Sequence, residues 1–435
     1  MADRWVGVSA RTSSRSVPDP TRGGQPVAVK TLTPTRTGAD IREFRVDVPE
    51  ADLQDLRTRL AATRWPERQT VDDQSQGVPL ETSQALARYW ATEYDWRKVE
   101  ARLNDLPNFV TEIDGLDIHF IHVRSRHDDA LPLIVTHGWP GSVIEQLKII
   151  GPLTDPTAHG GRASDAFHLV IPSMPGYGFS GKPDGPGWDP QHIARAWTEL
   201  MRRLGYTRFV AQGGDWGALI TDMLGVQAPP ELAGIHTNMP CVVPPDIDAL
   251  LQRGITGVNN PLAELPAGLS DEERAACERI DFFWKHSAYA LIMTTRPETL
   301  TALADSPAGL ATFMLDHDAA SLDLICAAFA GRPGGLSRDD ILDNVTLYWL
   351  TNTGVSSARL YAQNALSFFA AKGVRVPAAV SQFPDEILLA PRSWAERAYP
   401  NLIHYNQLDR GGHFAAWEQP ELFAQEMRAA FRSLR

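Results

Sequence analysis

Cysteine is scarce in this chain. Among 435 residues there are three, Cys241, Cys277 and Cys326. They are too few and too scattered for a disulfide framework, and none sits in a CxxC or Cys/His spacing that holds a metal. No apolar run approaches the ~20 residues that cross a bilayer. The first residues carry no apolar stretch for a signal peptide. The expectation is a cytoplasmic protein with no membrane anchor. Basic charge is also short: 41 Lys+Arg stand against 53 Asp+Glu, a formal net charge of −12. A nucleic-acid partner calls for a basic stripe, so that partner is not expected.

What is present is ordinary globular material, 43% hydrophobic and 22% charged. It suffices for one large domain or two to three smaller ones. Arg outnumbers Lys, and Ala and Pro are frequent, which points to a GC-rich bacterial coding sequence. Residues 1–40 are rich in Ser, Thr, Arg, Gly and Pro and read as a mobile tail. Residues 41–108 form a helical arm, in which Phe44, Val46 and Val48 alternate like a strand before Pro49 opens a helix. A second helix is read through TSQALARYWATEYDWRKVEARLN. From Phe109 the pattern becomes strands alternating with helices. Apolar runs lie at Ile118–Val123, Leu133–Thr136, Phe167–Pro172 and Arg208–Gln212, with a helix over Gln191–Leu204. After about Pro240 the strands stop, and helix-like stretches appear at Glu272–Met293, Leu310–Ala328 and Arg338–Leu350. Strands resume at Val374–Val376 and Leu402–Tyr405. The division is therefore an α/β core in two parts, 109–240 and 361–435, split by a helical insertion over 241–360.

Three motifs carry chemistry. Gln212-Gly213-Gly214-Asp215-Trp216-Gly217 lies between a strand and a helix. It has the layout of a nucleophile elbow with Asp in place of Ser. Glycines suit a sharp turn that strains its central residue, and the helix N-terminus beneath favours an anion. Alone, it could equally be an N-cap in a Gly-rich loop. Thr136-His137-Gly138-Trp139-Pro140-Gly141 follows another strand. There the backbone N–H of Trp139, with that of Trp216, would form an oxyanion hole. Asp409-Arg410-Gly411-Gly412-His413-Phe414 follows a late strand and offers His413 in the chain order nucleophile, acid, histidine. The acid falls on the loop after Val374–Val376, where Asp385 and Glu386 stand side by side. Glu386 is the first choice and Asp385 the reserve.

Together these motifs resemble the microsomal-type epoxide hydrolases of the α/β-hydrolase superfamily. The matches are VPEADLQDLRTRLAATRWPE, YWATEYDWRKVEARLN, THGWPGS, PSMPGYGFSGKP, GGDWG and RGGHFAAWEQPEL, in order, from about Ile41 to the end. The resemblance implies an α/β-hydrolase fold with a mostly parallel sheet, a helical cap and an N-terminal arm. It implies Asp215 as nucleophile, His413 as base and Glu386 as its acid partner. It also implies Tyr289 (in SAYALIMTTRP) and Tyr361 (in SSARLYAQN) as cap tyrosines that protonate the ring oxygen. The implied partners are a small-molecule epoxide and water, with no metal or organic cofactor. A homo-oligomer stays open, as do detoxification and secondary metabolism as settings. Two other readings remain: a haloalkane dehalogenase, which shares the fold and nucleophile, and a non-catalytic small-ligand binding protein. The resemblance departs at the N-terminus, where the mammalian members have an anchoring helix.

Overall fold

The structure is a computed structural model and describes residues 40–256, 260–332 and 334–435. The tail expected over residues 1–40 lies outside it except for Asp40.

Among the described residues, nine strands form one sheet: β1 (Arg42–Glu43), β2 (Asn108–Ile113), β3 (Leu116–Val123), β4 (Leu131–Thr136), β5 (Phe167–Pro172), β6 (Phe209–Gly213), β7 (Leu232–Thr237), β8 (Ala378–Gln382) and β9 (Leu402–Gln407). Their order is β1-β2-β3-β5-β4-β6-β7-β8-β9. The β1–β2, β2–β3 and β3–β5 pairs are antiparallel. Every pair from β5 across to β9 is parallel. Helices cover the faces of the parallel part, so β4 and β5 are buried on both sides and read as apolar runs without alternation, while the edge strand β9 is half-buried. Helices Pro190–Arg203 and Trp216–Gln227 pack on each other. The first starts on Asp189, whose carboxylate accepts the N–H of His192 at 2.8 Å. Trp197 on that helix donates its indole N–H to Thr136 at the end of β4. This pins the helix beside the loop that follows.

Three strand expectations change. Val374–Val376 is not a strand; the strand is β8, Ala378–Gln382. Pro377 cannot donate to a ladder, so pairing starts after it. Its sequence, AAVSQ, holds only one β-branched residue, so the strand signal there is weak. β7 is a further strand, concealed by its own composition, LAGIHT. A Cβ at its Gly234 would sit 2.9 Å from the carbonyl oxygen of Pro377 on the neighbouring chain segment. At the N-terminus only Arg42–Glu43 pairs as strand, so Phe44, Val46 and Val48 lie in an extended segment outside the ladder.

The helical expectations are subdivided. The arm's second helix is two, Leu80–Thr92 and Trp96–Asn104, because Asp95 caps the latter by accepting the N–H of Arg97. Leu310–Ala328 is likewise two helices, Pro307–Leu315 and Ala319–Phe329. Glu272–Met293 divides into Asp271–His286 and Ala288–Thr295. Helix Gly354–Gln363 runs through the boundary expected after residue 360. The arm lies on the cap: Tyr89 Oη donates to Asp339 at 2.7 Å and Tyr94 Oη to Asp343 at 2.8 Å.

Candidate active site

Four loops leave the carboxyl ends of β4, β6, β8 and β9 and converge. This is where parallel α/β sheets place their ligands. After β6, Asp215 adopts φ 52° and ψ −127°, a left-handed backbone that a non-glycine residue holds only under strain. Gly213 and Gly217 make the turn possible. A Cβ at Gly213 would fall 2.0 Å from the Gly217 carbonyl oxygen, and one at Gly217 2.0 Å from that of Thr136. The Asp215 side chain therefore stands above the sheet at the N-terminus of helix Trp216–Gln227, where the helix dipole favours its charge.

After β4, the N–H of Trp139 donates to Asp215 Oδ1 at 2.7 Å. Gly138 must lack a side chain, because its Cβ would lie 2.2 Å from the same oxygen. Trp216 opens its helix, so its N–H has no intrahelical acceptor. His137 is neutral: burial lowers its pKa to about 4. It accepts the N–H of Met174, tying this loop to the PSMPGYG segment.

After β9, His413 points Nε2 at Asp215 Oδ2, 3.6 Å away. Its Nδ1 lies 2.6 Å from Glu386 Oε1, on the loop after β8. Glu386 is fully buried and accepts two further bonds, from the N–H of Ile387 and from Asn238 Nδ2. Asp385, the reserve, is exposed, and its backbone pairs with Gly412. Successive residues in this extended turn face opposite ways, so the two carboxylates diverge. Burial opposes a charge on His413, but Glu386, Asp215 and Asp318 outweigh it and raise its pKa to about 10. Glu418 holds the histidine loop by accepting the N–H groups of both Gly412 and Phe414.

From the cap, Tyr289 stacks on Trp139 with ring centroids 4.8 Å apart, and Tyr361 meets Trp216 edge-on at 4.7 Å. Burial holds both phenols well above their ordinary pKa, followed by the charge of Asp215 at Tyr289 and by Tyr289 and then Asp215 at Tyr361. All seven residues singled out in the sequence thus come together, with Asp385 outside.

Two groups escaped sequence reasoning. His317 is buried in the cap, its Nε2 4.0 Å from Asp215 Oδ2 and its Nδ1 2.9 Å from Asp318. It sits in the break between helices Pro307–Leu315 and Ala319–Phe329, which the sequence periodicity joins into one. The pattern Asp316-His317-Asp318 was the available signal, since Asp318 caps the second helix through the N–H of Ser321. Glu145 is the other, buried beside the nucleophile. A cleft of about 1510 Å³ between the arm, the cap and the 385–387 loop ends on His317 and Glu386.

A mostly parallel sheet, an acid-bearing elbow and a carboxylate–histidine pair at the strand ends define an α/β hydrolase. Residues 132–261 match the family described as alpha/beta hydrolase fold, and residues 41–146 match Epoxide hydrolase N terminus. A protein of Stigmatella aurantiaca is 52% identical over 399 residues, 91% of this chain and 86% of that one. Epoxide hydrolase 1 of Oryctolagus cuniculus is 36% identical over 413 residues, 89% of this chain and 88% of the relative. The crystal structure of juvenile hormone epoxide hydrolase from the silkworm Bombyx mori superposes with a TM-score of 0.78 at 31% identity, covering 91% of this chain and 95% of that one. The chain belongs to the epoxide hydrolase family, and it is an epoxide hydrolase.

Proposed function

We propose that the protein converts an epoxide to a vicinal diol through a covalent ester on Asp215. The observation that carries this is the division of labour on one carboxylate. Oδ1 is held by the Trp139 N–H, while Oδ2 faces His413 and is free to attack. Oδ2 bonds to a ring carbon, the carbon–oxygen bond breaks, and Tyr289 or Tyr361 gives its proton to the leaving oxygen. Ester formation removes the Asp215 charge, and with it one of the carboxylates that raise the pKa of His413. The imidazole, oriented by Glu386, then takes a proton from water. The hydroxide adds to Cγ, with Trp139 and Trp216 N–H groups on the oxyanion. The Cγ–Oδ2 bond breaks, His413 protonates the departing diol, and the carboxyl proton returns to the tyrosinate.

The tyrosine pair supports this reading over a dehalogenase, whose halide needs Trp or Asn donors. The substrate class is a neutral small epoxide. Three buried free cysteines support a reducing, cytoplasmic setting. A working division keeps the arm at 41–108, the cap at 241–360 and the core in the two flanking parts. The test is a single turnover in heavy-oxygen water. Label should enter the Asp215 carboxyl; label in the diol alone would mean direct attack by water, without the ester.

A further inference from the structure

Behind the nucleophile is a second, small pocket of about 20 Å³. A single water needs ~10–15 Å³ by the same kind of measure. Its polar walls are Glu145, Gln146, Gln212, Asp215, Asn238 and His413; neither Tyr289 nor Tyr361 borders it. The imidazole thus borders this pocket, and the phenols stand outside it.

Two of these walls carry unspent hydrogen-bonding capacity. Glu145 lies on the short helix Val143–Ile149 and is 6% exposed; Gln146, beside it, is 4% exposed. Gln146 Nε2 donates to Glu145 Oε1 at 2.6 Å. Glu145 Oε2 and Gln146 Oε1 have no partner. Buried polar atoms are costly when unpaired, so a pair of them on two residues that line one water-sized pocket points to a ligand. The backbone also makes room for the carboxylate. A Cβ at Gly141 would fall 1.8 Å from Glu145 Oε2.

We propose that Glu145, with Gln146, is the positioning pair that seats the hydrolytic water between His413 and the Asp215 ester. This rests on the covalent reading above and names a residue for its second half. Burial, against the charge of His413 and the amide of Gln146, pushes the Glu145 carboxyl up to about 8. At neutral pH it is then an acid with a proton to donate. All four valences of the water are assigned. One lone pair accepts from Glu145, one hydrogen goes to Gln146 Oε1 and the other to His413 Nε2. The remaining lone pair faces Cγ.

The test separates the two half-reactions by rapid quench with enzyme in excess over styrene oxide, with ester read by intact mass. Glu145→Leu should form ester within about 3-fold of the wild-type rate and hydrolyse it ~10- to 100-fold more slowly. Gly141→Ala, which displaces the carboxylate without removing it, should do the same. Glu145→Gln, which still donates and accepts, should restore hydrolysis to within about 3-fold of wild type. Ester formation in each variant reports that it has folded. Hydrolysis at the wild-type rate in Glu145→Leu, or equal slowing of both steps, would overturn the proposal. His413→Gln serves as the independent trap. If it accumulates no ester, the covalent reading fails, and the proposal with it; ester in the trap with unslowed Glu145→Leu fails the proposal alone.

Discussion

At the scale of single residues, neighbours of identical chemistry are separated by direction. Asp385 and Glu386 are adjacent carboxylates, yet one is exposed and the other is wholly buried with three donors on it. Glu386→Gln should lower kcat on the order of 10³-fold, because the imidazole loses its charge partner and its fixed tautomer. Asp385→Asn should leave kcat within about 3-fold, and the comparison is made by steady-state kinetics on the same epoxide. The tyrosines give a second expectation. Tyr289→Phe and Tyr361→Phe should each slow ring opening, and the double variant should lose ~10³-fold or more. Stopped-flow ester formation measures this directly. A dehalogenation activity insensitive to both changes would favour the rival chemistry.

At the scale of elements, the site depends on how loops are tied down. The histidine loop is held by Glu418, which satisfies the N–H groups on either side of His413. Glu418→Ala should leave two backbone donors unpaired at ~1–3 kcal/mol each. It should lower kcat more than it changes KM, because the imidazole loses its placement. Thermal unfolding and steady-state kinetics check the two parts. The oxyanion loop is gripped from the cap. Asn344 on helix Arg338–Thr351 donates to the Pro140 carbonyl and accepts from Ser142, and Tyr348 donates to the Gly141 carbonyl. Elements with a strong periodic or capped signal were legible in the sequence. Helix Arg338–Thr351 starts on a Ser337/Asp340 capping box and was placed to within a residue. Strands β7 and β8 were not legible. β8, AAVSQ, holds a single β-branched residue, and β7, LAGIHT, is interrupted by Ala233-Gly234, so neither presents a sustained apolar run.

At the scale of the whole molecule, arm, cap and core form one continuous apolar interior that includes Leu53, Trp90, Tyr289 and Trp394. The arm's tyrosines reach the cap helix that in turn holds the oxyanion loop, so the three layers are mechanically linked to the site. Among the described residues no helix is long and apolar enough to cross a membrane. Stability should carry the signature of the site's charges. The His413 pKa in the folded state is about 10, above its ordinary 6.5, so the folded protein holds a proton that the unfolded chain releases. This contribution is complete below about pH 6.5 and is lost as pH rises through about 10. Urea unfolding from pH 6.5 to 10 should therefore show a steeper loss in wild type than in His413→Gln. Parallel curves would remove the raised pKa.

The sequence by itself determined the fold class and the order of the chemistry. Gly-bracketed turns after apolar strands can be recognised locally, and Asp215, His413 and Trp139 each carry such a mark, whereas the acid loop has no glycine and is placed by chain order. What the tertiary structure decided is everything that depends on direction and on contacts across long separations. It buried Glu386 against His413, left Asp385 exposed and set β8 after Pro377. It also brought His317 from the cap and Glu145 from the β4 loop to the same carboxylate. The contacts at Asp215 join strand-end loops and a break between two cap helices that lie far apart in the chain.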